Sequence, residues 1–146
     1  MAEKKPQTFE NHPKIVPAYH FVLTAILVIN LLWSLWRVIQ DPGIGTVVTL
    51  LLAVGLVIVM WFLRIWPLTV QDRLIRLEET LRMQVVLPET LRGRIGELRR
   101  GQFVALRFAP DEELPELVQR VLDGELESGK EIKKAIRTWR PDYFRV

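Results

Sequence analysis

The sequence predicts an all-α protein, a transmembrane helical hairpin followed by a small cytoplasmic helical bundle. Two observations predict it. First, two uncharged apolar runs, Ile15–Trp36 and Gly43–Leu63, stand almost back to back. Each is long enough to cross a hydrocarbon core of roughly 30 Å at about 1.5 Å per helical residue. Second, apolar residues behind the runs recur at helical spacing, punctuated by proline and glycine. The implied organisation is an N-terminal segment over 1–16, spans over 17–39 and 46–68, a turn over 40–45, and a helical domain over 69–146.

Whole-chain averages conceal this division. Charged residues make up 25% of the chain, the ordinary level of a soluble protein. Residues 15–63, however, carry only Arg37 and Asp41 as formal charges, whereas residues 69–146 carry fifteen Lys/Arg and fourteen Asp/Glu. The absence of cysteine excludes disulfides and thiolate metal sites. The net charge of +3 is too small for a nucleic-acid signature.

The first run is predicted to be a retained anchor. Lys4 and Lys5 resemble the start of a secretory signal, but the run begins late and no small-x-small cleavage site follows it. Gln40-Asp41-Pro42 reads as the turn between spans. Lys4, Lys5 and Lys14 precede the first run, and Arg64, Arg73, Arg76 and Arg82 follow the second; Arg37 is alone between them. The positive-inside bias therefore predicts cytoplasmic termini. Tyr19, Trp33, Trp36, Trp61 and Trp66 fall where interfacial aromatic anchors belong. Tyr19 to Trp36 spans about 25 Å of helix. Inside the first span, Asn30 and Ser34 share one face, the pattern of intramembrane packing against the other span or a second copy. No ionisable residue lies at mid-membrane depth to build a proton or substrate path.

Beyond the spans, Pro67 favours a kink without ending the helix. Val70, Leu74, Leu77 and Leu81 recur at spacings of four, three and four, which predicts an amphipathic helix over about 69–84. Pro88 suits the first turn of a next helix, about 88–98, holding Leu91, Ile95 and Leu98. Residues 102–108 are too few for period to separate helix from strand, and the context favours helix. Asp111 is placed at or beside an N-cap, before a stripe of Leu114, Leu117, Val118, Val121 and Leu122 that stops at Gly124. Ser128 caps a last helix with Ile132, Ala135, Ile136 and Trp139, ending before Pro141. Tyr143, Phe144 and Val146 are expected to fold back as an apolar tail.

Charge falls in blocks: +4 over residues 73–107, −6 over 108–127 and +4 over 128–146. Either the acidic block packs between the basic ones and the signs cancel, or the first block lies on anionic headgroups. As a further alternative, the acidic block docks a basic partner. Mixed blocks argue against nucleic acid, which calls for one continuous basic face. The chain has no glycine-rich phosphate loop, zinc-protease helix, nucleophile elbow or lipidation cysteine. Glu78/Glu79 and Glu112/Glu113 point to different helix faces and read as solvated surface. The sequence thus predicts no catalytic, cofactor-binding or metal-binding residue, and a non-enzymatic protein.

Several stretches carry a family resemblance. They are Phe9-Glu10-Asn11-His12 with Pro17-Ala18-Tyr19-His20, the run Thr69 to Glu79, Gln102 to Ala109, and Lys133 to Asp142 with Arg145-Val146. Together they resemble an uncharacterised family of small bacterial two-span membrane proteins. The resemblance implies a multi-pass protein of the bacterial inner membrane with no assigned activity. Such proteins are sometimes labelled transporter permeases, a label two spans without a polar pore face do not justify. The resemblance is densest at Arg73, Arg76, Arg137, Trp139, Arg140 and Asp142, which are the candidate contacts to a partner. The expected role is an anchor or scaffold whose cytoplasmic domain docks a protein partner. Besides the lipid bilayer, a partner protein or a homo-oligomer is expected, and no nucleic acid or small-molecule substrate. The alternative is an accessory subunit of a larger membrane complex, assembled through its spans.

Overall fold

The computed structural model describes residues 6–11 and 14–143. Lys4, Lys5, His12, Phe144 and Val146 lie outside the described residues. Every regular element among the described residues is helical. The chain divides into two units, Lys14–Pro67 and the described residues of Met1–Pro13 with Leu68–Val146.

In the first unit a wide helical turn, Ala18–Leu23, leads into α1, Thr24–Gln40. Such a turn carries hydrogen bonds five residues apart, and the Thr24 hydroxyl donates to the Tyr19 carbonyl at 3.1 Å. The Tyr19 hydroxyl donates to the Met60 carbonyl at 2.6 Å, fastening the start of α1 to the second apolar helix. That helix, α2, runs from Ile44 to Val86. At its start the Thr46 hydroxyl accepts the Gly43 N–H at 3.0 Å, a side-chain answer to an otherwise unpaired first-turn donor. α1 with its wide entry turn, and α2, are each long and apolar enough to cross a membrane. Within Lys14–Pro67 the buried residues are Leu27, Ser34 and Ala53, while most large apolar side chains from Phe21 to Leu63 face outward.

Pro67 lies inside α2 and does not end it, as the sequence predicts. Beyond Pro67 the buried residues of α2 are Ile75, Glu79 and Met83, at i, i+4 and i+8. Val70, Leu74, Leu77 and Leu81 occupy the opposite, exposed side.

The expected helix over 88–98 is two short pieces, α3 at Glu89–Arg92 and a 3₁₀ turn at Ile95–Glu97. Gly93 and Gly96 interrupt it, each costing about 1 kcal/mol in a helix interior. Leu91, Ile95 and Leu98 are nonetheless all buried. Residues 102–106 belong to a helix, α4, Arg100–Leu106.

α5 is Leu114–Leu122. Glu113 rather than Asp111 precedes it; the Pro110 carbonyl accepts from Glu113 and Leu114, and Asp111 is drawn to Arg82 instead. Gly124 follows α5 with φ +81°, the left-handed conformation of a C′ glycine. α6 is Gly129–Ala135, opened by a capping box in which Ser128 and Glu131 satisfy one another's backbone N–H. The N–H groups of Ser128 and Glu127, with the Ser128 hydroxyl, hold the Glu131 carboxyl below its usual pKa.

α6 stops short of Trp139. The N–H groups of Arg137 and Thr138 donate to the Glu113 carboxylate, each at 2.9 Å, instead of continuing the helix. The core of this unit gathers Met83, Leu87, Leu91, Phe103, Leu106, Phe108, Leu114, Val118 and Ile132. Burial of such side chains contributes roughly 1.5–3 kcal/mol apiece before entropy is counted.

Candidate functional site

The most developed polar feature is a cleft of about 370 Å³ on the second unit. α2 supplies Gln71, Leu74, Ile75, Glu78 and Glu79; Arg107 follows α4; Arg140 to Tyr143 form the far wall. Glu79 is 5% exposed, and a carboxylate so enclosed needs charged partners. Arg82 reaches it at 2.9 Å from one helical turn away, and Arg140 reaches it at 3.3 Å. Arg82 also contacts Asp111 at 2.6 Å and donates to the Ala109 carbonyl at 2.7 Å. Arg107 pairs with Asp142 at 3.0 Å, and its guanidinium lies 4.5 Å from the centre of the Phe108 ring.

The wall carrying Arg140 is an extended strap held at both sides. Its Arg140 N–H donates to the Phe108 carbonyl at 2.8 Å. Two residues on, the Asp142 N–H donates to Gln7 Oε1 at 2.8 Å, and Gln7 Nε2 returns a bond to the Asp142 carbonyl at 3.0 Å. Gln7 therefore acts as a one-residue strand, matching both backbone groups of a residue 135 positions away. Phe9 joins the same region, beneath the Lys134 ammonium at 5.8 Å.

Of the residues singled out from the sequence, Arg140 and Asp142 meet in this cleft. Trp139 packs on Phe108 with ring centres 4.9 Å apart. Arg137 pairs with Glu116 at 2.9 Å and Glu113 at 3.8 Å. Arg73 and Arg76 lie elsewhere, exposed on α2; Arg76 stands over the Phe103 ring at 5.7 Å, and Arg73 has no partner among the described residues.

In the first unit, Ser34 is 1% exposed and its hydroxyl has no hydrogen-bond partner, while Asn30 is half-buried with none. Trp33 stacks near Trp36, and Trp66 near Phe62, each at 4.9 Å. Trp33, Trp36, Trp61 and Trp66 all face outward.

Two residues read as solvated surface are instead internal. Glu79 and Glu113 are buried, whereas their neighbours Glu78 and Glu112 are exposed. Burial alone would raise the Glu113 carboxyl. Donors from the Arg137 and Thr138 backbone, the Thr138 hydroxyl and the Arg137 charge outweigh it and hold that carboxyl below its usual pKa. Helical phase could have placed Glu79, which shares a face with Ile75 and Met83. Nothing in the sequence marks Gln7, and Arg107 is marked only as part of the run Gln102 to Ala109 that carries the resemblance. The acidic block of 108–127 sends Asp111 to Arg82, Asp123 toward Arg94, and Glu113 and Glu116 to Arg137. These pairs cancel charge between blocks, the first of the alternatives read from the sequence.

Among the described residues no group of three or more His, Asp or Glu stands in a metal-holding arrangement. The cleft offers paired arginines and carboxylates already committed to one another. No curated protein and no solved structure matches the chain. The model of one family matches it from residue 1 to residue 146. The chain belongs to that family, the family of unknown function DUF6526.

Proposed function

We propose that this chain is a two-span protein of the bacterial inner membrane with both termini cytoplasmic. It is a non-enzymatic anchor whose helical unit docks another protein. The observation that carries the topology is the Gln7–Asp142 pair. Residues that exchange hydrogen bonds lie on one side of a bilayer, and an even number of crossings between them puts them there. The outward apolar faces of α1 and the first half of α2, ringed by Trp33, Trp36, Trp61 and Trp66, suit lipid.

The docking role is supported by what α2 leaves outside the domain's own network. Arg73 and Arg76 are exposed beside an exposed apolar stripe, while Arg82, Arg107, Arg137 and Arg140 are tied into ion pairs. Exposed apolar area rimmed by charge is the usual form of an interaction surface.

Asn30 favours a second reading, an accessory subunit assembled through its spans. An amide without a partner inside an apolar helix is satisfied by another transmembrane helix. Purification of the full chain from native membranes in mild detergent separates the two. Docking through α2 requires that Arg73→Glu with Arg76→Glu strip a bound protein while Asn30→Leu leaves it. The reverse pattern would replace docking with assembly through the spans.

A further inference from the structure

The stripe on α2 identifies what covers it. Val70, Leu74, Leu77 and Leu81 are 65%, 53%, 57% and 62% exposed. The opposite side of the same helix, Ile75 and Met83, already fills the chain's own core. An apolar stripe on a helix normally faces a core, so this helix has one apolar face too many for a single copy. Its spacing of four, three and four is the 3.5-residue period of a coiled-coil seam.

The charges beside the seam fit one arrangement. With Leu74 and Leu81 at a positions, Val70 and Leu77 fall at d, Arg73 at g and Glu78 at e. In a parallel pair of helices each g residue lies beside the partner's e residue five positions on. Arg73 of each copy then meets Glu78 of the other, twice by symmetry. An antiparallel pair would set Arg73 beside Arg73 and Glu78 beside Glu78. Both side chains are exposed, and neither has a partner among the described residues.

We propose that residues 70–81 of two copies form a parallel two-helix seam: the protein that docks on the α2 stripe is a second copy of this chain. The proposal rests on the membrane-anchored reading above. Copies inserted the same way run α2 in the same direction, the direction these charges select. The seam is shorter than the roughly three to four heptads that identify a free coiled coil. Confinement to one membrane supplies the missing effective concentration.

The chain has no cysteine, which makes the test direct. Single substitutions Val70→Cys, Leu74→Cys, Leu77→Cys, Leu81→Cys, Asp72→Cys and Arg76→Cys are made in the full-length protein. Each is oxidised in native membranes with copper phenanthroline. Seam geometry requires disulfide-linked dimer at the first four positions to exceed that at Asp72 and Arg76 by about fivefold or more. In the Leu77→Cys chain, Arg73→Glu lowers the yield and added Glu78→Arg restores it. Equal or absent dimer at all six positions overturns the proposal. So does failure of the charge swap to restore, or cross-linking at Leu74 and Leu77 only to a protein of another mass. Alkylation of these cysteines only by a lipid-soluble reagent overturns it in favour of a lipid surface. Alkaline carbonate extraction tests the anchor separately. A chain that stays in the pellet without periodic dimer has lost only the seam; a chain that carbonate releases has lost the anchor.

Discussion

Glu113 carries more of the C-terminal fold than its neighbour Glu112, though both are glutamates on an acidic stretch. Its carboxylate accepts the N–H groups of Arg137 and Thr138 and fixes where α6 gives way to the strap. Replacing it with alanine leaves two donors unpaired, at a cost of about 1–3 kcal/mol. Because its pKa is depressed in the folded chain, the stability it adds is present above the ordinary carboxylate value of 4.5. That stability is lost as pH falls through the folded value. Denaturant titrations will show wild type and Glu113→Gln differing at neutral pH, with the gap narrowing as pH falls below 4.5.

Ser34 makes the opposite case: its buried hydroxyl has no partner. Ser34→Ala is expected to leave stability in detergent unchanged or raised, since an unpaired hydroxyl stabilises nothing. Ser34→Leu overfills the same site and costs about 1–3 kcal/mol. Unfolding in mixed micelles, followed by tryptophan fluorescence, orders the two variants.

At the scale of elements, what the sequence discloses depends on how local the cause is. The two apolar helices, the α5 stripe, Gly124 and the Ser128 capping box could be read directly, because each is set by residues within one or two turns. Gly124 tests that locality. No atom would lie within 4 Å of an added Cβ, so only its φ of +81° resists a side chain. Gly124→Ala is expected to lower stability by about 1–2 kcal/mol and Gly124→Asn by less, measured by chemical denaturation of the full chain.

What could not be read was set from afar. The end of α6 depends on Glu113, and the second charge partner of the buried Glu79 is Arg140, 61 residues away. Periodicity marked the stripe of Val70, Leu74, Leu77 and Leu81 but could not say that the chain leaves it uncovered. The break between α3 and the following 3₁₀ turn is local in cause: Gly93 and Gly96 fall inside the helical spacing of Leu91, Ile95 and Leu98, which predicted one helix. Of the candidate site, Arg107, Arg140 and Asp142 lie in stretches that carry the resemblance, while Gln7 has no local signal.

For the whole molecule, the proposed topology makes a prediction independent of any partner. In intact spheroplasts a membrane-impermeant maleimide will label Gly43→Cys, at the turn between α1 and α2. It will leave Ser128→Cys unlabelled until the cells are opened. The reverse pattern would invert the orientation.

The Gln7–Asp142 pair also sets an order of events. Gln7 leaves the ribosome 135 positions ahead of its partner. At about 5–20 residues per second, the wait is on the order of ten seconds. Both apolar helices emerge in that interval. The N-terminal segment therefore enters its final hydrogen bonds only after both apolar helices have been made, and synthesis itself delays closure of the domain. A premature stop before Arg140 would take Asp142 from Gln7 and Arg107, and Arg140 from Glu79, together, leaving the domain unfinished.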